Sequence, residues 1–167
     1  SLRDGTVLPK GSLLTLFQSP ERYNDVPLMT GTNRDEAKLF LAQDPEFVER
    51  RFGFLPRIKD IDTYNITSAY ISDAWKARAV DEVAAVISAN SEHGVYAYRW
   101  DWDEGAKTWL VDYSTLIGAG HGMEVAFVFD DFDGGIFVPG FYNEHNSPGR
   151  DELAREMRSY WSQFATT

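Results

Sequence analysis

A chain of 167 residues with 43% hydrophobic and 14% aromatic content has the size and apolar material of one globular domain. Its formal net charge of -10 and pI near 4.7 argue against nucleic acid or anionic lipid as the main partner, since both need a basic footprint. Cysteine is absent, which excludes disulfides and thiolate metal sites, and with them a heavily cross-linked extracellular domain.

The first residues, Ser1-Leu2-Arg3-Asp4-Gly5, lack the apolar core of a signal peptide, and no apolar run approaches the length of a membrane span; the compartment stays open. Asp4-Gly5 and Pro9-Lys10-Gly11 punctuate a loop, after which Ser12 caps a short helix through Phe17, ended by Ser19-Pro20. Val26-Pro27-Leu28-Met29-Thr30-Gly31 fits a short buried strand whose ladder lies in its later residues, because Pro27 lacks the N–H. Thr32 or Asn33 then caps a helix from Arg34 to Gln43, and a second helix is expected from Asp44-Pro45 to Phe52.

From Asp60 to about Ile71 the pattern is weakly helical. Ser72-Asp73 offers a cap for a stronger helix from Ala74 to Ala89, with Trp75, Ala79, Val83, Val86 and Ile87 on its apolar face. Gly94 releases Val95 to Trp102, a β-rich segment that places Tyr96, Tyr98, Trp100 and Trp102 on one face. A long connection from Asp103 to Gly120 leads to His121 and an apolar helical turn from Val125 to Phe129; long connections often hold functional residues. Asp130 to Gly149 reads as irregular, and Asp151 to Phe164 as an amphipathic helix buried along Leu153, Met157, Tyr160, Trp161 and Phe164.

The order of elements predicts an α/β fold, with a few parallel strands and flanking helices, and no internal domain boundary in residues 1–167. Two strands are too few for the amphipathic helices beside them, so the sheet is expected to be incomplete. In such folds, ligands and catalytic groups sit on loops beyond the carboxyl ends of the strands. Glu36 follows the strand ending at Gly31, and His121 follows the strand ending at Trp102. An acid and an imidazole on neighbouring strand-end loops are two of the three members of a serine-hydrolase triad.

The stretch Val26 to Glu36, with Gly31-Thr32-Asn33-Arg34-Asp35-Glu36 at its end, resembles the acid-bearing segment of the type-B carboxylesterase and cholinesterase family of α/β-hydrolases. His121-Gly122-Met123-Glu124 followed by Phe127-Val128-Phe129 resembles its histidine segment, Tyr160 to Ala165 its C-terminal helix, and Asp4-Gly5 with Leu8-Pro9 its lead-in to the acid. The resemblance spans nearly the whole chain, in the family's order. It implies that Glu36 is the triad acid and His121 the general base, with Asp35 and Glu124 as supporting carboxylates and Leu39 and Phe40 facing the acyl pocket. In cholinesterases a tyrosine stands where Met123 is and the stretch after the acid is aromatic, receiving a quaternary ammonium. Leu39 and Met123 therefore point to a small neutral carboxylic ester as substrate. Ala37 stands where the family has glycine.

The chain contains no Gly-x-Ser-x-Gly, so the resemblance implies a nucleophile and an oxyanion hole supplied by an N-terminal portion of the same hydrolase, attached or separate. The isolated chain is then expected to be inactive, and neither metal nor organic cofactor is required. Two other readings remain: a non-catalytic cholinesterase-like interaction domain, and a carbohydrate-binding module using the Tyr96 to Trp102 stripe. His93 and His145 read as surface residues. Asp130-Asp131-Phe132-Asp133-Gly134-Gly135 fails the EF-hand spacing, and Asn65-Ile66-Thr67 is a glycosylation sequon only on a eukaryotic secretory route.

Overall fold

The computed structural model describes residues 4–6, 8–133 and 141–166. Its element order is α1 (Leu13–Leu16), β1 (Leu28–Asn33), α2 (Lys38–Leu41), β2 (Val48–Arg51), β3 (Leu55–Ile58), α3 (Ile61–Lys76), α4 (Glu82–Asn90), β4 (Val95–Trp100), α5 (Tyr113–Leu116), α6 (Glu124–Phe129) and α7 (Ser147–Thr166). Helices and strands are mixed, and β1 and β4 are neighbours in a small parallel sheet, as an α/β class requires. The described residues fall into two compact units, one within Ser1–Gly31 and Ala74–Tyr98, the other within Thr32–Asp73 and Arg99–Thr167.

In the first unit the start of β1 pairs with the start of β4, where the Leu28 N–H donates to the Gly94 carbonyl over 3.0 Å. The Tyr98 ring lies so close over Gly31 that a Cβ there would sit 2.3 Å from it, which explains the glycine within the strand. A five-residue π-helical turn, Ala77–Asp81, leads into α4 and buries Val80, and Ile87 one heptad later is buried on α4.

In the second unit Trp100 and Trp102 pack against Phe127 of α6 at ring-centroid distances of 5.0 and 5.1 Å, and Trp102 meets Phe141 at 6.0 Å. Tyr142 joins this aromatic cluster 5.8 Å from Trp102, and α7, which packs against α6, buries Ala154 and Met157. Trp100 is only 3% exposed, so the end of the aromatic stripe fills a core. β2 and β3 form a separate antiparallel hairpin in register Val48 to Ile58 and Arg51 to Leu55, with Glu49 paired across the strands to Arg57 at 3.3 Å.

Several expectations are corrected here. The segment 45–52 is not a helix; it enters the hairpin, because Phe52 (φ 52°) and Gly53 (φ 82°) turn the chain in the left-handed region that a helix excludes. Residues 34–37 are a turn, and only Lys38–Leu41 continue as one helical turn, since the backbone N–H groups of Asp35 and Ala37 are engaged outside it. Ser72 does not cap a new helix but lies buried inside α3, its hydroxyl accepting from the Ala37 N–H at 3.1 Å. The connection before His121 holds α5, capped by the Asp112 carboxylate accepting from the Thr115 N–H. Helix α7 begins at Ser147, four residues before Asp151, and Tyr160 is exposed while Ala154 takes the buried place. Within Asp130 to Gly149, residues 134–140 lie outside the described residues, and with them Gly134 and Gly135 of the acidic loop.

Candidate functional site

β1 ends in the buried pair Thr32-Asn33, and the turn that follows folds the Glu36 side chain back onto them. Glu36 Oε1 accepts from the Asn33 N–H at 2.7 Å and the Thr32 hydroxyl at 3.0 Å. Its other oxygen, Oε2, lies 2.6 Å from Nδ1 of His121. The Glu36 side chain is 6% exposed and that of His121 45%, so a buried carboxylate stands behind a half-open imidazole. A neutral imidazole that donates Nδ1–H to a carboxylate keeps Nε2 as its basic nitrogen, which is the tautomer a general base needs.

The loop carrying His121 is gripped by the acid turn. The Asp35 N–H donates to the Ala119 carbonyl at 2.9 Å, and the Ala119 N–H donates back to Asp35 Oδ2 at 3.0 Å. Gly118 has φ 56°, and a Cβ on it would lie 2.5 Å from that same Oδ2, so only glycine lets the loop approach. Burial alone would push the Asp35 carboxyl up; the Lys38 charge, the Arg34 hydrogen bond, the Ala119 N–H and the Arg34 charge outweigh it and hold the group below the usual carboxylate range. Arg34 spans Asp35 at 2.8 Å and Asp103 at 2.6 Å, and Lys38 Nζ stands 3.4 Å from Asp35.

Beneath this turn the fully buried Tyr64 hydroxyl stands 2.7 Å from the Leu116 carbonyl and 3.1 Å from that of Lys38, tying α2 to α5 through one shared proton. Burial and then the Asp35 charge push the Tyr64 phenol up, so it remains a neutral donor. Glu124, at the first position of α6, accepts from the Asn33 side chain.

Of the expected pocket residues, Phe40 lies beside the base, its ring centroid 5.5 Å from that of His121. Leu39 and Met123 are buried side chains, and the Met123 carbonyl accepts from the Tyr142 hydroxyl at 3.3 Å. His93 and His145 are exposed. Thr32, Asn33, Lys38, Tyr64 and Ser72 are residues around the dyad to which the sequence pattern assigned no part in the site. Thr32 and Asn33 carried only a helix-cap signal, and the partners of Tyr64 and Ser72 lie far along the chain.

No protein-family model matches the chain, and no solved structure matches its fold.

Proposed function

We propose that this chain supplies the acid and base of a Ser-His-Glu triad to a carboxylic ester hydrolase of the carboxylesterase and cholinesterase type. The observation that carries the reading is the 2.6 Å contact between Glu36 Oε2 and His121 Nδ1, with the other carboxylate oxygen anchored by Asn33 and Thr32. Such anchoring fixes the glutamate as an acceptor, and it in turn fixes the imidazole. Nε2 of His121 takes the proton of a serine hydroxyl as that oxygen attacks the ester carbonyl, and returns it to the leaving alcohol. Water then enters under the same base and releases the acid from the acyl-serine. The half-open position of His121 beside Phe40 suits contact with a reacting group and a small neutral acyl or alcohol portion.

Serine and oxyanion hole come from an N-terminal portion of the same hydrolase, and neither metal nor organic cofactor takes part in the steps above. Combined with a portion bearing Gly-x-Ser-x-Gly, the chain restores p-nitrophenyl ester cleavage, and His121→Ala abolishes it. Hydrolysis that survives His121→Ala in the combined protein overturns the reading. The chain alone leaves a fluorophosphonate probe unreacted.

A further inference from the structure

Asn33 is 3% exposed and uses both hydrogens of its side-chain amide. One is donated to the Gly120 carbonyl at 2.8 Å and the other to the Glu124 carboxylate. Gly120 is the residue before His121, and Glu124 lies three residues after it, so one amide holds the chain on both sides of the base. From the same residue the backbone N–H holds the acid through Glu36 Oε1 at 2.7 Å.

We propose that Asn33 is a positioning residue whose amide sets the register between the acid turn and the histidine loop, so that Nδ1 of His121 meets Glu36; this rests on the dyad reading above. The chemistry is specific to an amide. Two oxygens, a carbonyl and a carboxylate, converge on one side chain, so an aspartate would repel both and a serine has a single hydrogen for two acceptors. Glutamine would carry the amide one methylene too far. The Asp35 to Ala119 clasp is separate: it grips the loop two residues before the base and holds neither Gly120 nor Glu124. Removing the Asn33 amide therefore leaves the loop attached but free to slip relative to Glu36.

The test is proton NMR of the isolated chain, in which a His121 Nδ1–H shared with a carboxylate gives a resonance far downfield of the amides. Glu36→Gln and His121→Ala identify it by moving or removing it. In Asn33→Ala the resonance is expected to move upfield and to exchange with water at least ~10-fold faster, as when a hydrogen bond to a charged group is lost from a locally opening loop. Asn33→Asp, which keeps the shape, is expected to do the same, and provides a second readout should the alanine variant fail to fold. The indole resonances of Trp100 and Trp102 report whether each variant has kept its core. An unchanged resonance and exchange rate in a folded Asn33 variant overturns the positioning role while leaving the dyad standing. Absence of the resonance from the parent chain overturns the dyad reading itself, and the inference with it.

Discussion

Replacing Gly118 by alanine is expected to cost about 2.5–5 kcal/mol of stability, the sum of a backbone term and a displaced hydrogen bond. The backbone term arises because φ at this position is 56°, where an L side chain costs about 1–2 kcal/mol. The second arises because the new Cβ would fall 2.5 Å from Asp35 Oδ2, the atom that accepts from the Ala119 N–H at 3.0 Å and from Arg34 at 2.8 Å. Moving that oxygen loses a hydrogen bond to a charged group, worth about 1.5–3 kcal/mol. Gly122 is the internal control: its φ is 77°, but a Cβ there meets nothing within 4 Å, so Gly122→Ala should cost only the backbone term of about 1–2 kcal/mol. Urea unfolding of both variants, fitted with a common slope, gives the two costs. In an Asp35→Ala background the second term should vanish, and Gly118→Ala should fall to the cost of Gly122→Ala. Equal costs for the two glycines in the parent chain, or a Gly118→Ala cost indifferent to Asp35, would refute the reasoning.

The depressed pKa of Asp35 means that its stabilising contribution is present above the ordinary aspartate range and is lost as pH falls through the lower, folded value. The stability difference between the parent and Asp35→Asn should therefore shrink on acidification; a difference independent of pH counts against the ion-pair account. Tyr64→Phe should cost about 1–3 kcal/mol in urea unfolding, because two buried carbonyls lose their shared donor, and a neutral outcome would mean that the hydroxyl does not hold α2 to α5. Phe52 sits in the left-handed region while 86% exposed, so Phe52→Asn relieves backbone strain with little packing lost and should stabilise the chain by about 0.5–1 kcal/mol. A lower midpoint in that variant would show that the phenyl ring packs.

β4 was legible as a β-rich run released by Gly94 and lies within the expected segment, whereas β1 does not stop at Gly31 but runs through it to Asn33, two residues past the expected end. Placing Glu36 and His121 beyond those strand ends was enough to put them on facing loops. The hairpin was not legible: Val48 to Arg51 alternates too briefly to show a period, and its turn puts phenylalanine where asparagine or glycine is the usual signal. Ser72 carried a cap signal because its type favours helix starts, yet its partner is the Ala37 N–H. Asn33 was hidden for the same reason, since its side-chain partners belong to Gly120 and Glu124 and no local pattern records them. Tyr160 followed the helical stripe in sequence, but it lies exposed while Ala154 is fully buried.

The two halves of the dyad differ in how the chain reaches them. Glu36 finds Thr32 and Asn33 only four and three residues away, whereas its contact with His121 closes 85 residues of chain. Short-range contacts form cheaply and early, and long closures are made only when other structure has already offset their entropy. The acid is thus seated by its own turn, while the base arrives with the completed fold. The bond between them is a clock hand for folding, absent from any species in which residues 99–121 have not yet docked.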